Sequence, residues 1–230
     1  MPQSSSINET LVHEITRRVV ARIQSENGAA GASGRMLVPC NISVRHCHLK
    51  PEHVEILYGP GAKLEPMRDL YQPGEFASKQ TLTLVGPRMR CMGDVRVLGP
   101  ERKFTQVEVS RTDAIFLGID PPVNRSGDHT NSVGLILVGP HGVIHLEQGV
   151  IRANRHIHVS AESARQWGLH DNQSVNVRVA NQHKKTILED VQIRVSEKFF
   201  NEMHLDTDDG NACGINNGDK VEILPETAGR

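Results

Sequence analysis

The spacing of apolar residues along the chain has two different rhythms. Near the N-terminus they recur at Ile7, Leu11, Val12, Ile15, Val19 and Ile23. This is one stripe of a helix, with Arg17, Arg18 and Arg22 mostly off it. Ser6, with Glu9 three residues on, forms a capping box that starts the helix. Residues 27–34, Asn-Gly-Ala-Ala-Gly-Ala-Ser-Gly, read as a flexible linker. From residue 36 onward the period shortens to two. Strands are predicted at 36–44, 81–85, 94–98, 104–109, 133–138, 175–179, 191–195 and 221–224. Gly86-Pro87, Gly99-Pro100 and Gly139-Pro140 each close an apolar run. Many short strands at this spacing predict a mainly β fold, a small barrel or a sandwich. Short helices are expected from Pro51 to Gly59, from Ser160 to Gly168, and from Ser196 through Phe199 and Met203 to His204.

Composition removes several functions. The chain has 230 residues, enough for one large or two small domains. Its 26 basic and 27 acidic residues create no field that would draw nucleic acid or an anionic membrane. Aromatics are only 3%, too few for base-stacking platforms. No stretch approaches the roughly 20 apolar residues of a membrane span, and no secretory signal is seen. Cys40, Cys47, Cys91 and Cys213 form no Cys-x-x-Cys, which suggests free thiols in a reducing, intracellular setting. Rossmann, Walker A and Gly-x-Ser-x-Gly patterns are absent.

Chemistry enters with a repeat. Arg45-His46-Cys47-His48-Leu49 and Arg155-His156-Ile157-His158-Val159 share the pattern Arg-His-x-His-apolar, and each precedes a predicted helix. In a strand, residues two apart share a face, so each pair of imidazoles can grip one divalent ion. Cys47 should point to the opposite, buried side, and Arg45 and Arg155 should act structurally. Catalytic zinc usually has three protein ligands. Glu108, on a strand face shared with Gln106, is the best third ligand for the first pair. His204 is the best for the second, with the acidic run 206–209 placed to orient histidines. Arg102, between the Gly99-Pro100 turn and the Glu108 strand, suits a phosphate or carboxylate.

These residues resemble those of the phosphate propanoyltransferases, the phosphotransacylases of propanediol-using bacterial microcompartments. The similarity covers roughly residues 36–225. It rests on residues 43–49, 64–70, 72–77, 95–100, 105–113, 153–160 and 203–208, together with Arg102. The resemblance implies two interlocked small β-barrels with short capping helices, plus the N-terminal amphipathic helix. It implies boundaries at 1–25 (helix, an encapsulation peptide), 26–35 (linker), 36–46 with 154–225 (first barrel) and 47–153 (second barrel). It also implies two zinc ions, one on His46, His48 and Glu108 and one on His156, His158 and His204. Arg102 would bind phosphate, and Ser43, Arg68, Arg96, Leu98, His204 and Asn211 would lie near coenzyme A. The expected reaction interconverts acyl-CoA plus phosphate with acyl phosphate plus CoA, propanoyl being the expected acyl group. The expected setting is a cytoplasmic microcompartment, with shell or core proteins as partners and a homodimer or higher oligomer. From the residues alone, the N-terminal helix fits either docking into another protein or packing on the body or on a dimer partner. The metal pairs would also suit a binuclear hydrolase or a zinc-stabilised scaffold.

Overall fold

Alternating burial produces two separate cores in the computed structural model, which describes residues 35–180 and 184–224. The predicted N-terminal helix and linker lie outside the described residues. The first core gathers Val38, Cys40, Ile157, Val159, Val177, Ile193, Met203, Leu205 and Ile223. The second gathers Cys47, Leu49, Leu57, Leu84, Val97, Val107, Leu137 and Val150. Burying each Leu, Ile or Val side chain contributes about 1.5–3 kcal/mol, so each core is a major source of stability.

Each core fills a closed, six-stranded barrel. The strands of the first are β1 (Met36–Ser43), β10 (His156–Ser160), β11 (Ser174–Ala180), β12 (Lys185–Ser196), β13 (Glu202–Asp206) and β14 (Lys220–Leu224). Around the wall they run β1-β13-β10-β12-β11-β14. The strands of the second are β2 (His46–His48), β4 (Phe76–Val85), β5 (Cys91–Gly99), β6 (Gln106–Glu108), β8 (Val133–Val138) and β9 (Val143–Ala153). Their order is β4-β5-β2-β6-β9, and β8 closes the ring by pairing with both β9 and β4. Short strands β3 (Pro66–Asp69) and β7 (Val123–Asn124) flank it. The fold is thus mainly β, with two interlocked barrels, as the chain's period of two and its family resemblance imply.

The two walls repeat each other. Strand β2 runs parallel to β5 and antiparallel to β6, and β10 runs parallel to β12 and antiparallel to β13. Likewise β9 is parallel to β6, and β1 is parallel to β13. The chain changes barrel at Val44-Arg45 and again at Asn154-Arg155, so each His-x-His strand begins just after a crossing.

Four short helices seal the barrels: α1 (Pro51–Tyr58), α2 (Arg111–Leu117), α3 (Ala161–Trp167) and α4 (Thr207–Cys213). Helix α1 starts with proline in its first turn, and Ser160 caps α3. Ser110 and Asp113 form a capping box on α2, while Asp206 caps α4. Both crossing arginines are anchored here: Arg45 donates to Asp113 at 2.9 Å and Arg155 to Asp209 at 2.7 Å.

The helix expected from Ser196 to His204 does not form. Residues 197–198 turn, and Glu202–Asp206 is strand β13. Met203 and Leu205 point into the first core, while His204 and Asp206 lie on the other face. A segment this short presents its apolar residues in a way that fits either period, and pairing with β1 and β10 decides for the strand.

Candidate active site

The same alternation that buries Cys47 and Ile157 inside the barrels turns the flanking histidines outward. They are nonetheless covered, because the two barrel walls face each other. His46 and His156 are each only 8% exposed. One cleft is lined from both barrels, by His46 and Glu108 of the second and by Ser43, His156 and His204 of the first.

Strand register completes two clusters. His46 lies opposite Glu108 across β2 and β6, and His156 lies opposite His204 across β10 and β13. One donor atom from each of His46, His48 and Glu108 lies within 4.8 Å of the others, and the same holds for His156, His158 and His204. Nε2 of His46 is 3.6 Å from Oε2 of Glu108. The structure therefore brings together all six residues singled out as metal ligands.

Their hydrogen bonds fit a metal. Nδ1 of His46 donates to the Val44 carbonyl at 2.8 Å, and Nδ1 of His156 donates to the Asn154 carbonyl at 2.9 Å. Each bond fixes a tautomer whose Nε2 lone pair is free. His48 Nδ1 and His158 Nδ1 are buried with no hydrogen-bond partner among the described residues. Such orphaned nitrogens are costly unless another group meets them. His204 Nε2 instead faces the Glu202 carboxylate, 3.0 Å from Oε2.

Burial favours the neutral, ligating form of three of these imidazoles, His48, His156 and His158. It lowers His48 well below the usual histidine range, helped by His46 and Arg102. His156 is lowered in the same way, with His204 and Arg194 adding to burial. His158 falls to about 3 through burial and then the nearby His204. Neutral imidazole with one carboxylate is a donor set suited to zinc and other borderline divalent ions.

Arg102 is fixed at its backbone, where its N–H donates to the Leu49 carbonyl at 2.9 Å. Its guanidinium reaches Ser126 Oγ at 3.2 Å and lies 3.6 Å from Glu75 Oε1. The residues assigned to coenzyme A fall on both barrels. Ser43 lines the cleft opposite Asp206, and Asn211 is exposed on α4. Arg96 sits opposite His46 and donates to the carbonyls of Ser78 and Lys79. Leu98 pairs with Ala77, which in turn lies beside the row of Arg68 on exposed β3.

The acidic run 206–209 does not orient the histidines. Asp206 caps α4, Asp208 accepts from the Thr112 N–H at 2.7 Å, and Asp209 holds Arg155. Carboxylates just after a ligand were a natural expectation, but the start of a helix claims them instead. The sequence pattern puts Gln106 on the face of Glu108 but does not mark it, Arg194 or Glu202 as buried polar neighbours of the clusters. Gln106 and Glu202 each lie two residues before a third-ligand position, which is the signal that could have marked them.

The geometry can be compared with known proteins. Residues 39–216 match the family model described as phosphate propanoyltransferase. The chain belongs to this family. It is 45% identical over 218 residues to a phosphate propanoyltransferase of Planctopirus limnophila, covering 94% of this chain and 89% of that one. It is 43% identical to the phosphate propanoyltransferase of Thermotoga maritima, covering 95% of this chain and 99% of that one. The phosphate propanoyltransferase of Lachnoclostridium phytofermentans is also 43% identical, with 95% and 100% covered. The protein is accordingly an acyltransferase enzyme. No helix among the described residues is long and apolar enough to cross a membrane.

Proposed function

We propose that this enzyme interconverts acyl-CoA plus phosphate with acyl phosphate plus CoA, the acyl group being propanoyl, in the cleft between the barrels. In this reading His46, His48 and Glu108 hold one zinc ion, and His156, His158 and His204 hold a second. The observation that carries it is that two members of each three-donor cluster, His46 with Glu108 and His156 with His204, line one cleft. Zinc bound at such sites supplies Lewis acidity that favours a thiolate and offsets charge on phosphoryl oxygens.

The protein's own groups do the rest. The CoA sulfur attacks the acyl carbonyl carbon; a carbon–sulfur bond forms, and the carbon–oxygen bond to phosphate breaks. Arg102 receives the departing phosphate through its planar fork of N–H donors. Ser43, Arg68, Arg96, Leu98, His204 and Asn211 hold the CoA. Transfer is direct. Cys40, Cys47 and Cys213 are all buried, and burial pushes their thiols up, Cys40 to about 12, which disfavours acylating them, while the exposed Cys91 does not line the cleft. Residues 1–34, outside the described region, serve to load the enzyme into a microcompartment; deleting them leaves activity intact and abolishes encapsulation.

The test is zinc analysis joined to an acyl-phosphate assay of the wild type and His48→Ala. The wild type is expected to hold two zinc ions and to consume acyl-CoA only when phosphate is present, and the variant to lose both a zinc ion and activity. Full activity in the variant would refute the site. Release of free acid without phosphate would instead indicate a hydrolase.

A further inference from the structure

The repeat between the barrels extends one layer beyond the clusters. Gln106 precedes Glu108 by two residues on β6 and lies opposite His48. Glu202 precedes His204 by two residues on β13 and lies opposite His158. Both are sealed from solvent, at 0% and 1% exposure. They occupy equivalent places, but their hydrogen-bonding polarity is reversed. Gln106 presents an amide N–H to a carboxylate, donating from Nε2 to Glu108 Oε1 at 2.7 Å. Glu202 presents a carboxylate to an imidazole, with Oε2 3.0 Å from Nε2 of His204.

Every other polar atom of the two side chains is engaged. Nε2 of Gln106 also donates to Ser126 Oγ at 2.9 Å, and its Oε1 accepts from the Gly127 N–H at 2.8 Å and faces His129 Nε2 at 3.1 Å. Oε1 of Glu202 accepts from the Asn41 side-chain amide, and Oε2 accepts from Gln72 Nε2 at 2.8 Å. Gln72 belongs to the connection between β3 and β4 of the second barrel, so a residue of one barrel fixes the carboxylate behind the third ligand of the other. A buried carboxylate with two amide donors in place cannot rotate without losing one of them.

We propose that Gln106 and Glu202 are matched positioning residues, each orienting the third metal ligand of its own cluster, Glu108 through an N–H donor and His204 through an anionic acceptor. The inference rests on the two-metal reading of the clusters. It assigns Glu202 and Gln106 to positioning and not to ligation, and it makes their effects specific to one cluster each. Exchanging polarity at either place sets donor against donor or acceptor against acceptor. At residue 202 a glutamine amide would meet the amide groups of Asn41 or Gln72.

The experiment measures zinc affinity by competition with a chromophoric chelator, one cluster at a time. In a His48→Ala background the remaining site is the second cluster; in a His158→Ala background it is the first. Glu202→Gln is expected to weaken zinc about 10–100-fold in the His48→Ala background and to leave the His158→Ala background unchanged. Gln106→Ala should show the opposite pattern. Gln72→Ala, a milder change outside both clusters, should weaken only the second and keeps the test decisive if Glu202→Gln fails to fold. In the His48→Ala background, equal affinities with and without Glu202→Gln or Gln72→Ala would overturn the proposal, as would equal weakening of both clusters, which marks a merely structural role. A wild type that binds no zinc would instead refute the two-metal reading itself.

Discussion

Replacing Arg102 with alanine separates binding chemistry from stability. The side chain makes two polar contacts, to Ser126 at 3.2 Å and to Glu75 at 3.6 Å. The Arg102 and Glu75 side chains are 29% and 41% exposed, so solvent screens their attraction. Such a pair is worth about 0–1 kcal/mol. The backbone N–H bond to Leu49 survives the substitution. The thermal midpoint should therefore fall by no more than about 2–4 °C. In the proposed reaction the effect is larger, because that reading makes Arg102 a charge-assisted donor to the departing phosphate: about 2.7–4 kcal/mol, or 10²–10³-fold in kcat. Thiol release from acyl-CoA, followed with a thiol-reactive chromophore at varied phosphate, measures it. Arg102→Lys should recover only part of the loss, since an ammonium keeps the charge without the fork. Activity within twofold of wild type in a folded Arg102→Ala enzyme would refute the reasoning. So would a large fall in midpoint that accounts for the lost rate.

Two other outcomes follow from the clusters and crossings. Asp113 is buried, caps α2 and holds Arg45, so Asp113→Ala should cost roughly 2–3 kcal/mol, read as a lower urea midpoint, whereas a loss under about 0.5 kcal/mol would mean that the crossing needs no anchor. Chelator-treated protein should lose stability as pH falls from about 6.5 toward 3, because the unfolded chain protonates its histidines near the ordinary value while burial holds His158 to about 3 and lowers His48 and His156 too. In that window the unfolded state binds more protons, at about 1.4 kcal/mol per pH unit for each such group, and a urea midpoint that is flat between pH 6.5 and 4.5 would contradict it.

Much of the protein was written locally. A period of two places Cys47 and Ile157 inward and His46, His48, His156 and His158 outward, whatever the strands pair with. Proline at the start of α1, serine before α3 and glycine after each bound those helices by chain chemistry alone. The mainly β class follows from the same short-range patterns, and the family could be read from the motifs because the chemistry is concentrated in a few contiguous stretches.

What sequence reading left undecided depends on pairing between distant strands. His204 was placed at the end of a helix, yet it lies in the middle of β13, because Cys40 and Ile157 on two remote strands pair with Met203. The acidic run after it was assigned to the histidines, but an N-terminal helix turn and Arg155 take those carboxylates. Glu202 and Gln106 gained their roles only when Gln72, Asn41 and Ser126 arrived from elsewhere in the chain. The sequence by itself determined which side chains share a face, since that follows from backbone geometry over two or three residues. Only the tertiary structure decided which faces meet, because register across a barrel wall is set by the fit of two whole cores and by hydrogen bonds between residues far apart in the chain.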